Sequence, residues 1–219
     1  LFQPLLEELK SVAAPVYASV VGKVPGSLGG NCRALCEQQL GYAAACACNG
    51  AGCRCRCYGD AALVLTASGD VVCAFVGGNG LWASTQNDPQ YSYICRSSDG
   101  GRTWSQPIDI TRQLWGDDAI HQSGRNYKAS FFGSGNGLRL TRGPHAGRIM
   151  FVAAMCRKNA NILDNFVVYS DDEGITWQVS DKAFSKGDEA KLVELVDGSV
   201  LMSVRRTGRI ASINVGEAM

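Results

Sequence analysis

The chain has 219 residues, enough to bury a sizeable core, and its 46% hydrophobic content with 26 glycines suits one turn-rich all-β domain. Lysine plus arginine number 21 against 20 aspartate plus glutamate, so no net field attracts nucleic acid or an anionic membrane surface. The longest fully apolar stretch, Ile149 to Cys156, is far short of the ~20 residues that span a bilayer, and no transmembrane helix is expected.

Residues Leu1 to Val12 carry apolar side chains at 1, 2, 5, 6, 9 and 12, a helical period and not the unbroken apolar core of a signal peptide. A secreted, periplasmic or cell-surface placement would need a signal outside this stretch. Seven of the ten cysteines follow, at Cys32, Cys36, Cys46, Cys48, Cys53, Cys55 and Cys57. Cys-x-Cys pairs without Cys-x-x-Cys or a nearby histidine support tetrahedral zinc weakly, and a disulfide-stapled insert must satisfy adjacent pairs with good bridge geometry. The third reading is a low-complexity segment of Ala, Gly, Cys and Arg that forms no compact unit. Residues 1–58 are therefore set apart as an atypical N-terminal segment and 59–219 as the folded domain, with no metal site or cofactor expected. Cys73, Cys95 and Cys156 lie in apolar runs and read as core residues.

From Ala61 the pattern becomes that of strands and tight turns. Ala61 to Thr66 and Val71 to Phe75 flank Ser68-Gly69-Asp70 as a hairpin, and Tyr91 to Cys95 leads as a third strand into the octapeptide Ser97-x-Asp99-x-Gly101-x-Thr103-Trp104. The same order returns: Gly137 to Leu140, a turn at Gly143 to Gly147, Arg148 to Met155, and Asn165 to Tyr169. That last strand runs into Ser170-x-Asp172-x-Gly174-x-Thr176-Trp177, after which Thr176 to Val179 supplies a fourth strand. A third round is Lys191 to Val196, Asp197-Gly198, Val200 to Val204 and Ile210 to Val215. Five fixed positions recurring about 73 residues apart signal stacked repeats.

The octapeptide explains itself as a turn. Serine and aspartate hydrogen-bond backbone groups ahead of them, glycine accepts positive φ, and Thr-Trp restarts a strand with an apolar anchor. It resembles the Asp box of sialidases and related β-propellers, which makes the expected architecture an all-β propeller with about three blades visible, where propellers close with 4 to 8. The chain is accordingly expected to be part of a larger protein. Runs such as Leu192-Val193 and Val200-Leu201-Met202 are expected to be buried on both faces between blades.

Antiparallel strands alternate ends, so both kinds of hairpin turn should share one face of the disc. The opposite face should collect Asp60, the Gly77-to-Pro89 loop with Trp82, the Phe132-Gly133-Ser134-Gly135 approach, Glu189 and Arg205. Glu189 and Arg205 stand eight residues to either side of Asp197 and should oppose one another across the hairpin. An ordinary cross-strand ion pair is the alternative use of that spacing. Likewise, Asp60 has an alternative as a strand cap and Trp82 as a packing aromatic.

The words around these residues resemble bacterial-type exo-α-sialidases. Those words are Gly187-Asp188-Glu189-Ala190-Lys191-Leu192-Val193-Glu194-Leu195 and Asp197-Gly198-Ser199-Val200-Leu201-Met202-Ser203-Val204-Arg205, with Asn165-Phe166-Val167-Val168, Tyr169-Ser170-Asp171-Asp172 and the run from Trp104 to Thr111. The resemblance covers roughly Gly59 to Val215. It implies a six-bladed propeller that hydrolyses terminal sialic acid from glycoconjugates with retention, without metal. A tyrosine activated by glutamate attacks the anomeric carbon, three arginines hold the sugar's carboxylate, and an aspartate serves as acid and base. Glu189 then matches the activating glutamate, and Arg205 the second arginine, whose guanidinium suits a carboxylate. Asp60 in Gly59-Asp60-Ala61-Ala62 matches a substrate-contacting aspartate, although Ala61 stands where proline is usual, and Trp82 an aromatic of the substrate pocket.

Departures accompany the matches. The first arginine and the acid/base aspartate have no counterpart before Asp60, where the cysteine-rich stretch stands, and the third arginine and the tyrosine are expected beyond residue 219. His121 and His145 match no family role. The competing readings are a non-catalytic Asp-box propeller that binds glycan or protein, and a degenerate homologue without turnover. A sialylated glycoconjugate is the expected partner, with no membrane span.

Overall fold

In the computed structural model, residues 45–47, 56–85, 87–115, 127–133, 135–206 and 209–214 are described. The elements are, in order, β1 (Ala45–Ala47), β2 (Arg56–Leu65), β3 (Val71–Gly78), β4 (Gln90–Ser97), β5 (Ile108–Asp109), α1 (Thr111–Trp115), β6 (Tyr127–Phe132), β7 (Gly135–Asn136), β8 (Leu138–Arg139), β9 (Ile149–Arg157), β10 (Leu163–Ser170), β11 (Gln178–Val179), β12 (Phe184–Ser185), β13 (Ala190–Glu194), β14 (Val200–Arg206) and β15 (Arg209–Asn214). They form three antiparallel blades. The first is β1-β2-β3-β4-β5, the second β6/β8-β9-β10-β11 with β12 also on β10, and the third β13-β14-β15.

Alternation of side chains places each blade between apolar layers. Along β9, Ile149, Phe151, Ala153 and Met155 face the first blade's Val72, Ala74, Val76 and Ile94, while Met150 and Val152 face Ala190, Val200, Met202 and Val204 of the third. That is why Ile149 to Cys156 is apolar at every position: both faces of the strand are buried. The third blade differs from the expected pattern. Its strands alternate, with Val200, Met202 and Val204 buried while Val193 is 48% exposed, because no described element packs on its outer face.

Two other expectations are corrected. The inner strand of the second blade begins at Tyr127, not Gly137, and continues past a break as β8. Consequently the Phe132-to-Gly135 approach does not line the open face. Phe132 is fully buried against Phe151, and Gly133 lies so close to the third blade that a Cβ there would stand 2.5 Å from the Ala190 carbonyl. Gly135-Asn136 instead pairs with Ala62-Leu63 of the first blade. β6 was missed although Tyr127, Ala129 and Phe131 alternate with Lys128 and Ser130; the strand is buried at five of its six positions, Ser130 included.

Of the cysteine-rich stretch, the backbone of β1 pairs with β2 as Ala45↔Tyr58 to Ala47↔Arg56. Cys32, Cys36, Cys48, Cys53 and Cys55, and the side chains of Cys46 and Cys57, lie outside the described residues, as does His121. Cys73, Cys95 and Cys156 are buried and free.

Candidate functional site

Both octapeptides fold as turns, with one set of hydrogen bonds used twice. The Ser97 hydroxyl accepts from Gly101 N at 2.8 Å, Asp99 accepts from Thr103 N at 2.8 Å and from its hydroxyl at 2.6 Å, and Trp104 Nε1 donates to the Gly101 carbonyl at 3.0 Å. In the second turn Ser170, Asp172, Thr176 and Trp177 repeat these contacts at 2.8, 2.8, 2.5 and 3.2 Å. The fourth position takes positive φ both times, as Gly100 and then Glu173. These turns sit beside the β2–β3 hairpin: Arg96 pairs with Asp70 at 2.8 Å, and Glu173 accepts from Ser68 N across the blades. Their carboxylates are committed to amides and hydroxyls of their own turns, so this end of the blades holds structure.

The opposite end is built by the first residues of the third blade. Leu195, Gly198 and Ser199 close the β13–β14 hairpin, and the register Ala190↔Val204 puts Glu189 opposite Arg205. Arg205 N donates to the Glu189 carbonyl at 2.7 Å, and the two side chains form an ion pair at 2.7 Å while remaining 59% and 48% exposed. Five residues of strand separate Glu189 from Glu194, which binds Thr141 and Arg142 at the turn end; at strand rise that is roughly 17 Å.

Asp188 also holds this end, and the spacing argument did not single it out. Its carboxylate accepts from Arg205 at 2.7 Å, its backbone N–H donates to the Arg205 carbonyl, and its carbonyl accepts from the buried Asn165 amide at 2.7 Å. Gly187 is required here, since a Cβ would lie 1.8 Å from Asn165 Oδ1 and 2.6 Å from Val204. The signal for Asn165 was in the sequence, as a polar residue that with Asp164 opens an apolar strand, where burial demands a partner.

Asp60 lies within β2 and not before it. The chain bulges between Gly59 and Ala62, Asp60 takes φ 54°, and so its exposed side chain is turned out of the ladder's alternation. Loss of water, and then the negative charge of Glu189, raise its carboxyl above the ordinary value. Lys191 is a second residue the spacing missed. Desolvation lowers its ammonium pKa, with Glu189 acting in the opposite sense. Hydrogen bonding from the guanidinium to Asp188, then the charges of Asp188 and Glu189, raise Arg205 further.

Trp82 lies on the β3–β4 loop, at the same end as Gly78, and is half exposed. The loop is held by Asn79 Nδ2, which donates to Ala83 and Asp88 carbonyls, and by Lys128 Nζ, which donates to the Trp82 carbonyl at 2.7 Å. Glu189 and Arg205 are in contact, Asp60 feels the charge of Glu189, and Trp82 lies on the β3–β4 loop next to Gly78, which pairs with Cys57 three residues before Asp60. Among the described residues no cluster of His, Cys, Asp or Glu is arranged to hold a metal, and no helix is long and apolar enough to cross a membrane.

No family model matches the chain. Over 119 residues it is 35% identical to the sialidase of Micromonospora viridifaciens, a match covering 54% of this chain and 17% of that protein. Over 157 residues it is 28% identical to the sialidase of Paraclostridium sordellii, covering 68% and 37%. Among solved structures it superposes on the Hadza microbial sialidase Hz136 with a TM-score of 0.63 at 22% identity, over 74% of this chain and 32% of that one. Trypanosoma rangeli sialidase in complex with the inhibitor DANA gives 0.59 at 15% identity, over 76% and 28%. The chain spans well under half the length of these relatives. Its three blades have the fold of part of a sialidase-type β-propeller, and the chain is similar in sequence to part of those sialidases.

Proposed function

We propose that this chain contributes part of the active site of an exo-α-sialidase, with Arg205 and Glu189 as its working pair and Asp60 and Trp82 at the rim. The observation that carries the reading is the Glu189–Arg205 pair, solvent-facing beside Asp60 at the end of the blades opposite the octapeptide turns. A structural ion pair needs no such exposure, whereas a substrate clamp does. The guanidinium has five N–H donors; Asp188 and Glu189 fix its plane from one side, and the remaining donors are available to the carboxylate of a sialic acid.

Glu189 serves as the base that draws the proton from a tyrosine supplied by the remainder of the protein. A neutral phenol approaches the anomeric carbon without repulsion from the adjacent sugar carboxylate, and becomes a nucleophile as its proton leaves. The contact of Glu189 with Arg205, at 2.7 Å, fixes the orientation of the carboxylate. Asp60 contacts the sugar and Trp82 offers an apolar surface to it.

The test uses a fluorogenic sialoside. The protein that carries this chain together with the missing tyrosine and arginines should release the fluorophore with retention. Glu189→Gln should lower kcat while leaving inhibitor affinity, and Arg205→Ala should weaken substrate and carboxylate inhibitors together. The 219-residue chain alone should release none. Robust cleavage by the chain alone would reassign the missing roles to its own residues, and unchanged inhibitor binding in Arg205→Ala would remove the clamp.

A further inference from the structure

Cys73 and Cys95 take no part in the site described above, yet they stand directly opposite one another on β3 and β4. Both are free and buried, at 2% and 0% exposure. They lie on the outer face of the first blade in a cluster with Phe75 and Trp104, edged by Ala61, Leu63, Val71 and Tyr93. The phase of the ladder is set where Asn79 N donates to the Pro89 carbonyl at 3.2 Å. Counting back by twos from that pair makes Cys73 and Cys95 a hydrogen-bonded pair, whose Cα atoms stand about 5.5 Å apart. That separation is inside the roughly 4.4–6.8 Å range that a disulfide bridges. The two residues face each other across the ladder, so closure needs rotation about the side chains with a small approach of the strands.

We propose that Cys73 and Cys95 are a cross-strand modification site, a dithiol that closes to a disulfide on meeting a small-molecule disulfide of the glutathione class. One cysteine thiolate attacks a sulfur of oxidised glutathione, breaking its S–S bond and releasing one glutathione thiolate. The second cysteine then attacks the protein sulfur of that mixed disulfide, forming the Cys73–Cys95 bond and releasing the second glutathione. Two protein thiols are oxidised, one glutathione disulfide is reduced to two thiols, and the two protein protons pass to the leaving thiolates. The ring so closed contains the 79–89 loop with Trp82, and it ties the two strands beneath that loop. Hydrogen bonding to Cys95 and then burial hold the Cys73 thiol well above its ordinary range, which makes the folded pair slow to react. The bond should form faster while β3 and β4 are still pairing.

The purified 219-residue chain is exposed to excess oxidised glutathione in two ways, in its native state and during refolding from urea. Free thiols are then alkylated in denaturant and the digest is mapped by mass spectrometry. The expected product is a linked peptide pair joining Cys73 to Cys95, two hydrogens lighter than the reduced pair, forming sooner in the refolding sample and reopened by dithiothreitol. Recovery of both cysteines as alkylated thiols in both samples, or as separate glutathione adducts, would overturn the proposal. A second variant guards against incidental pairing. In Cys73→Ser, Cys95 should remain alkylatable; if it pairs as readily with Cys156 or another cysteine, register does not select the bond and the proposal fails.

Discussion

The two ends of the blades use the same chemistry to opposite purposes. At the turn end, Asp99 and Asp172 direct both carboxylate oxygens to groups within their own octapeptides, and the adjacent tryptophans seal the blades. At the other end Glu189 and Arg205 meet at the same short distance but stay open to solvent. A third Arg–carboxylate pair lies inside the protein. Asp164 is fully buried and takes hydrogen bonds from Arg157 at 2.8 and 2.9 Å, Tyr127 at 2.6 Å, Ser185 and Lys186 N. Charge pairing therefore does not mark function here. On the proposed function, what sets the Glu189–Arg205 pair apart is its exposure, at a position where the fold gains little from it.

That contrast predicts the largest effect at Asp164. Burial alone would raise its carboxyl, yet Arg157 and Tyr127 hold it well below the usual carboxylate range. Burial, and then the same contact with Asp164, push the Tyr127 phenol up to about 12. Asp164→Ala leaves a guanidinium and a phenol without their acceptor, and should cost about 3 kcal/mol in urea unfolding. A loss no larger than that of a surface substitution would mean that the network is dispensable.

Next comes Asp172. Asp172→Ala removes the acceptor of Thr176 and Ile175 amides and of the Thr176 hydroxyl, at an expected loss of about 2 kcal/mol. Asp99→Ala should lose less, because Trp177 is packed between the first two blades while Trp104 lies on the outer face of the first. Equal losses in the two variants would show that the turns act alone and that blade contacts add nothing.

A smaller effect is the pH dependence of the same turn. Desolvation would raise the Asp172 carboxyl, but the Thr176 hydroxyl and amide, Ser170 and the Ile175 amide hold it down to about 2, from 3.8. A folded value below the unfolded one contributes stability above the unfolded pKa, lost as pH falls through the folded one. Stability should therefore decline between about pH 4 and pH 2, by roughly 1 kcal/mol from this group after allowance for solvent screening. In Asp172→Asn that part of the slope should vanish.

The turn end was legible in the sequence because its chemistry is local. Ser, Asp, Gly, Thr and Trp act within eight residues, so the octapeptide announces its own fold, and Glu189 opposite Arg205 followed from counting about Asp197. Other features depended on contacts distant in sequence. Tyr127 to Phe132 is buried on both faces, with Ser130 inside, Asp60 leaves the ladder through a bulge, and Asn165 meets Asp188 only across neighbouring blades. The exposure of Val193 was hidden for a related reason, since burial of the third blade's outer face depends on what packs there and not on the strand itself.

The smallest stability effect is expected where the functional effect is largest. Arg205 is 59% exposed and its partners Asp188 and Glu189 are exposed or half-buried, so water replaces a lost guanidinium at little cost and salt already screens the pair. The β13–β14 ladder is held by backbone hydrogen bonds, among them Arg205 N to the Glu189 carbonyl, that a new side chain leaves intact. Arg205→Met should therefore leave the urea midpoint of the chain unchanged. In the protein that completes the active site, the same change should abolish the affinity gained from a ligand's carboxylate, measured by comparing a sialic acid with its methyl ester. Wild type should prefer the acid and the variant should bind the two alike. A clear fall in the midpoint, with the preference for the acid retained, would turn the pair at the open end into one more structural contact and erase the difference between the two ends.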